Sequence, residues 1–333
     1  MAFINKPSLD LEFTDAAHIA NLGVIDRAIR KVIISIISSM AVLPNRFLVK
    51  LDAANDYFKT YQHPLGVLRL TVESGESFGE DKEGKSFLKR LVHDVPDCYV
   101  KVSMSAEEEW RTKTVKNHRH PEFNETTDIL VTDHEQLIQA DVQDDDTASD
   151  DDIGIATVTV KQLLLSGGRH ELPLSHKGQH TQGKLTLRGE FFNFVADTTS
   201  LSSDGPGILG LMSVLVACVR NLSGRRQELK PSVRVIWGDQ VWRTAIKTDC
   251  PGADIENPSF DQAFKMPIRA GMVPGGPPVK FVLMDKEDEK GEVEVPLEEV
   301  LASQDSMLYR DFDVGNGVTL RAAVWLRGVR LAE

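Results

Sequence analysis

Two short motifs occur twice in this chain. Trp110-Arg111-Thr112 returns as Trp242-Arg243-Thr244, and His120-Pro121-Glu122-Phe123-Asn124-Glu125 returns as Asn257-Pro258-Ser259-Phe260-Asp261-Gln262. The copies stand roughly 130 to 140 residues apart, a whole-domain length and too long for a solenoid unit. The expectation is one architecture built twice, and 333 residues suffice for two separate cores.

The pattern around the repeats is one of short strands set off by turn residues, the signature of β-sandwiches. In the first copy the strands expected are Val67 to Glu73, Cys98 to Ser103, Trp110 to Lys116, Thr127 to Thr132, Gln136 to Val142, Ile153 to Val160 and Lys184 to Asn193. Thr198, Thr199, Ser200, Ser202, Ser203 and Gly205-Pro206-Gly207 have linker chemistry, and a second strand series starts at Leu209. Ahead of the sandwiches, apolar residues at Leu22, Ile25, Ile29, Val32, Ile33, Ile36, Ile37 and Met40 fall at helical spacing. Pro44 ends that helix, Arg46 to Leu51 reads as a short strand, and Asp52 to Pro64 as a connector. The fold class is therefore mainly all-β: two tandem antiparallel β-sandwiches preceded by an α-helix and a strand. The divisions are 1–63, a first sandwich at 64–195, a linker at 196–206 and a second sandwich at 207–333.

Asp and Glu outnumber Lys and Arg by 50 to 38, for a net charge of -12, which argues against a nucleic-acid partner because phosphate binding needs a basic face. The same charge repels anionic lipid unless something offsets it locally. The apolar run Val32 to Leu43 is too short to span a bilayer, which takes about 20 residues, so it is read as a buried helix. No signal-peptide pattern precedes it. Cys98, Cys218 and Cys250, odd in number and without metal-ligand spacing, are read as thiols of a reducing compartment. His176 and His180 stand four apart, but zinc binding at that spacing needs a helix, and Lys177-Gly178 disfavours one. No phosphate loop, nucleophile elbow or cofactor motif is present, so no enzyme is expected.

Chemistry concentrates in one loop. Asp144, Asp145, Asp146, Asp150, Asp151 and Asp152 are interrupted only by Thr147, Ala148 and Ser149. Acidic runs on loops are ordinarily just solvated. This one lies between two expected strands and repels itself, and calcium, which takes six to eight oxygen ligands in a flexible geometry, relieves that repulsion better than magnesium.

At this point the residues resemble a known family. Gly66 to Val72, Asp97 to Val102, Trp110 to Thr114, His120 to Glu125 and Asp144 through Ile153-Gly154 resemble, in order and spacing, the successive motifs of a C2 domain. The likeness covers about residues 65 to 194 and, more weakly, 207 to 331. Pro7 to Thr14, Val24 to Arg30 and Val42 to Arg46 resemble the final part of the SMP lipid-transfer domain of extended synaptotagmins, tricalbins and plant synaptotagmins. Residues 1–63 would then be the end of such a domain.

That resemblance implies a function. Calcium would be the cofactor, held by Asp81, Asp97, Asp144, Asp146 and Asp151, with Asp94 an alternative to Asp81. Cys98 stands where the family usually has proline, and Asp152 where an apolar residue is usual. Phe78, Phe87 and Leu88 would either insert into the membrane or cover the sandwich end. The second copy has Lys230 where the first has Asp97 and a short third loop, Asp285 to Gly291, so no calcium site is expected there. Arg225, Arg226, Lys230, Arg234 and Arg243 could form a basic contact for phosphoinositide or protein. The partners implied are anionic phospholipid membranes and, where the SMP domain is complete, a second copy in a homodimer. The setting implied is the cytosolic face of the endoplasmic reticulum at membrane contact sites, in tethering and lipid transport. A calcium-independent scaffold for protein–protein interaction is the rival reading.

Overall fold

Cys98–Met104 shows how this sequence makes its sheets. Cys98, Val100, Val102 and Met104 are each at most 1% exposed, while Lys101 and Ser103 between them are half-buried, the two-residue alternation of a strand with one face on a core; Tyr99 on the other face is the exception, buried with the Arg111 guanidinium over its ring. The computed structural model describes residues 1–11, 22–47, 57–79, 95–145 and 151–332. It contains two compact units. One comprises Met1–Val49, Pro64–Phe192 and Ala332–Glu333; the other comprises Lys50–His63 and Asn193–Leu331.

The strands of the first unit are β1 (Gly66–Glu76), β2 (Cys98–Met104), β3 (Trp110–Arg111), β4 (Glu122–Val131), β5 (Leu137–Asp144), β6 (Asp151–Thr159), β7 (Arg169–His176) and β8 (Gln179–Val195). One layer runs β3-β2-β5-β6 and the other β4-β1-β8-β7, joined where Ile155 meets Ser175. Leu68, Leu70 and Val72 from one layer and Val100, Ile138 and Val142 from the other share the core. Gly66 is required by close approach: a Cβ there would lie 2.1 Å from the Phe192 carbonyl oxygen. β7 was not foreseen. It carries Pro173 beside a register shift, and proline inside a strand pattern argues against a strand unless it sits at a bulge.

The second unit is built from β9 (Gly210–Arg220), β10 (Pro231–Trp237), β11 (Gln240–Arg243), β12 (Ser259–Ile268), β13 (Val279–Asp285), β14 (Asp288–Val295), β15 (Met307–Asp313) and β16 (Thr319–Leu331). Its layers are β11-β10-β13-β14 and β12-β9-β16-β15, all pairs antiparallel. The stretch expected as a linker belongs to this fold. Thr199–Ser202 forms a 3-10 turn, Leu201 is 1% exposed in the core, and the Ser200 hydroxyl donates to the Leu209 carbonyl while accepting the Val329 N–H. Part of the expected connector also folds here: Tyr57–Thr60 is a helical turn, with Phe58 stacked on Tyr309 at 4.5 Å and His63 edge-on to Trp325 at 3.8 Å.

The repeated motifs are the shared frame. Thr112 and Thr244 are buried, and each hydroxyl accepts a strand N–H, from Val100 at 3.0 Å and Val233 at 2.9 Å. The strand expected over Trp110 to Lys116 pairs with β2 as a ladder only at Trp110–Arg111 and returns to it as a single bridge between Val115 and Cys98. Glu125 accepts the Lys113 N–H at 2.7 Å, and Gln262 accepts the Ala245 N–H at 2.5 Å.

The helix Leu22–Ala41 departs from expectation. Val32, Ile36 and Met40 are 58%, 53% and 50% exposed, a stripe at four-residue spacing, so this helix is not a buried one. The expected strand after it runs out of the described residues at 48–51; Arg46 and Phe47 are not in strand conformation, and the Phe47 N–H bonds the Met1 carbonyl. Nearby, Asn5 brackets the start of β5, donating to the Glu135 carbonyl and accepting the Leu137 N–H. Ser105 donates to the Ile4 carbonyl. The amino-terminal segment is thus tied to the end of β2 and β5 opposite Cys98 and Asp144.

Candidate functional site

Three of the five expected ligands come to one end of the first sandwich. Asp97 immediately precedes β2, Asp144 is the last residue of β5, and Asp151 the first of β6. The ladder sets Cys98 opposite Asp144 and Asp144 opposite Asp151. The Asp97 N–H donates to Asp144 Oδ1 at 2.8 Å, the Asp145 N–H donates to the Asp97 carbonyl at 2.8 Å, and Asp97 Oδ1 accepts the Asn117 N–H at 2.8 Å. Backbone donors therefore already offset part of the negative charge, with the Asp144 side chain buried. Asp81, Asp94 and Asp146 lie outside the described residues, as do Phe87 and Leu88. Among the described residues no group of three His, Cys, Asp or Glu is arranged to hold a metal ion. Asp97, Asp144 and Asp151 stand at neighbouring strand ends, and carboxylate oxygens are donors that suit calcium rather than a transition metal.

The two departures from the family pattern have local explanations. Cys98 is buried, its thiol directed toward the His118 carbonyl at 3.5 Å. Asp152 accepts from Gln143 Nε2 at 3.4 Å and faces His176 Nδ1 at 3.6 Å. Asp141, further along β5, is held above the usual carboxylate range by burial, with Gln139 opposing and Asp152 adding to the shift.

Phe78 is not a membrane-contact residue. It is fully buried in the first core, its ring against Gly75, where a Cβ would fall 2.1 Å from the ring. Its N–H bonds the Arg119 carbonyl at 2.9 Å. It closes the sandwich end, the other role open to it.

The second sandwich repeats the backbone frame with different charges. The Lys230 N–H donates to Asp285 Oδ1 at 2.8 Å, and the Lys286 N–H donates to the Lys230 carbonyl at 3.1 Å. Lys230 and Lys286 thus stand where the first sandwich has Asp97 and Asp145. The expected basic face is largely neutralised. Arg225 pairs with Glu228, Arg226 with Asp249, Arg234 with Glu289 and Arg243 with Glu287, while Lys230 is exposed.

A contact missed from sequence completes the first site. Asp145 Oδ2 accepts from Thr114 Oγ1 at 2.7 Å and from Arg111 Nη2 at 2.9 Å. These hold its carboxyl below the usual range, the Thr114 hydrogen bond contributing most. The recurrence of Trp-Arg-Thr was the available signal, since Arg111 belongs to it.

The C2 domain family model matches residues 66–174 and again 210–311. Extended synaptotagmin-2 of Mus musculus is 24% identical over 364 aligned residues, covering 99% of this chain and 40% of that protein. Extended synaptotagmin-3 of Xenopus tropicalis is 26% identical, covering 65% of this chain and 24% of that protein. The chain thus spans well under half the length of these relatives. Among solved structures, an SMP-C2A-C2B segment of extended synaptotagmin 2 aligns with TM-score 0.66 at 20% identity, covering 99% of this chain and 71% of that one. A calcium-bound C2A-C2B pair of the same protein aligns with TM-score 0.63 at 20% identity, covering 82% of this chain and all of that one. At such identity the structural likeness is one of fold. No described helix is long and apolar enough to cross a membrane. Two family matches on two separately cored sandwiches, with extended synaptotagmins as relatives along nearly the whole length, place this chain in the C2 domain family as a tandem member.

Proposed function

We propose that this chain docks peripherally on anionic phospholipid membranes and that calcium at the first sandwich switches the docking. The observation that carries this reading is the convergence of Asp97, Asp144 and Asp151 on adjacent strand ends, at the base of the acidic loop. Without an ion, these carboxylates and their loop neighbours direct a negative field at a negative leaflet. When bound, calcium supplies positive charge and open coordination for lipid phosphate oxygens. Asp97 and Asp144 would hold it, with Asp146, Asp151 and Asp81 completing the set. The Asn117 and Asp97 amides fix the orientation of the first two carboxylates before any ion arrives, which lowers the ordering cost of binding.

In the longer relatives' setting this activity would tether the endoplasmic reticulum to a second membrane and support lipid transport, with residues 1–63 serving as the end of an SMP domain. The half-exposed stripe of Val32, Ile36 and Met40 suits a lipid-lining surface in such a domain. The second sandwich would then contribute a calcium-independent contact.

Co-sedimentation of the full chain with phosphatidylserine vesicles tests the switch. Binding in calcium that is lost in EDTA and in an Asp144→Asn, Asp146→Asn variant is the expected result. Equal binding in every condition would move the contact elsewhere, and no binding at all would favour a protein-interaction scaffold.

A further inference from the structure

We infer that Arg111 is a positioning residue for the first sandwich's calcium loop: it takes Asp145 out of the ligand set and anchors the loop's base so that Asp144 and its neighbours can face an ion. This rests on the calcium reading proposed above. Arg111 reaches Asp145 at 2.9 Å and Thr114 Oγ1 at 3.2 Å through the same Nη2, and Thr114 itself donates to Asp145 at 2.7 Å. The three form a closed set across a sequence gap of more than thirty residues. The guanidinium is fixed from below as well, its Cζ 3.5 Å from the centre of the Tyr99 ring, and Tyr99 is fully buried. A planar guanidinium stacked on an aromatic face is more constrained than a lysine at the same place.

The second sandwich supplies an independent observation. Arg243, the arginine of the second Trp-Arg-Thr copy, also reaches the third loop at its base. Its Nη2 donates to the carbonyl of Lys286, the residue placed as Asp145 is, at 2.5 Å, and its Nε donates to Ser232 Oγ at 2.9 Å. Lys286 carries no carboxylate to capture, yet the arm goes to the same loop position. The arginine arm is therefore part of the frame that holds this loop, and in the first sandwich it acts on a loop crowded with aspartates. Arg111 engages Asp145, and the Asp97 amide donates to Asp144.

This role and a simple charge effect predict opposite signs for the loss of Arg111. If Arg111 acted only as a nearby positive charge, removing it would strengthen calcium binding, and removing the Asp145 charge would weaken it. If it positions the loop, both removals weaken binding, because either frees the same anchor. Calorimetric calcium titrations of the full chain as wild type, Arg111→Ala, Asp145→Asn and the double variant decide between them. Each single variant should lose about tenfold in affinity, the size typical of supports behind metal ligands. The double variant should lose no more than either single one, the mark of a coupled pair. Both side chains are partly solvent-exposed, at 44% and 40%, so the calcium-free melting temperature should move by no more than about 2 °C. Tighter or unchanged binding by Arg111→Ala overturns the proposal, as does a loss matched by equal destabilisation without calcium. A wild-type chain that binds no calcium removes the underlying reading, whereas calcium binding indifferent to both substitutions removes the positioning role alone.

Discussion

In the first sandwich the Asp97 amide bonds the Asp144 carboxylate at 2.8 Å, and in the second the Lys230 amide bonds the Asp285 carboxylate at 2.8 Å. The parallel continues outward: Ser77 and Asn221 both have positive φ, and Phe78 and Leu222 follow with N–H bonds to Arg119 and Glu256 carbonyls at 2.9 Å. The frame is thus common to both, while the charges mounted on it are not. One end carries a run of aspartates; the other intersperses Lys230, Lys286 and Lys290 with its acids. The same backbone geometry can carry different charges, because the frame bonds use amides and one shared carboxylate.

The comparison is sharpened most by the plug residues. Phe78 is fully buried and Leu222 only partly, so Phe78→Ala should cost about 3 to 4 kcal/mol of the first sandwich's stability and Leu222→Ala about half that. Guanidinium unfolding of the full chain measures both; a Phe78→Ala chain as stable as wild type would restore Phe78 to the membrane-facing role. The shared frame is tested next. Thr112→Val and Thr244→Val each strand a strand N–H, and each should cost about 2 kcal/mol in its own sandwich. A large cost in one and none in the other would break the claim of a common frame.

The smaller effect depends on pH. Burial first, and Arg327 second, push His63 down to about 4 from its ordinary 6.5. Between those two values the unfolded chain takes up a proton that the folded second unit refuses. Its stability therefore falls as pH drops through that window, by at most about 2 kcal/mol at pH 4.5 once solvent screening of the partly exposed ring is allowed for. Asp141 in the first unit shifts the other way: its raised value means the folded state binds a proton more readily, so its contribution improves on acidification. Hydrogen exchange followed from pH 7 to 4.5 should show the second unit opening preferentially, and His63→Phe should remove that preference.

The doubled sandwich was legible because Thr112, Thr244 and the pairs Phe123-Asn124 and Phe260-Asp261, whose second residues take positive φ at a register shift in β4 and β12, are demanded by the frame wherever it is built. The placing of Asp97, Asp144 and Asp151 at neighbouring strand ends was legible, because register there leaves little choice. Three features were not. A helical apolar stripe reports a face but not what covers it, so the exposure of Val32, Ile36 and Met40 was hidden. Phe78 beside a long loop reads equally as finger or plug, and only the missing Cβ of Gly75 explains why its ring turns inward. The Arg111–Asp145 contact joins residues far apart in sequence and depends on where β3 and β5 end.

The proposed function needs calcium at the first sandwich's loops and not at the second's. Calorimetric calcium titration of Asp97→Lys, which gives the first sandwich the second's residue, against Asp285→Asn, which alters the corresponding frame in the second, tests this directly. The predicted result is that Asp97→Lys abolishes calcium binding and Asp285→Asn leaves wild-type affinity and stoichiometry. Calcium binding that survives Asp97→Lys, or disappears with Asp285→Asn, would contradict it.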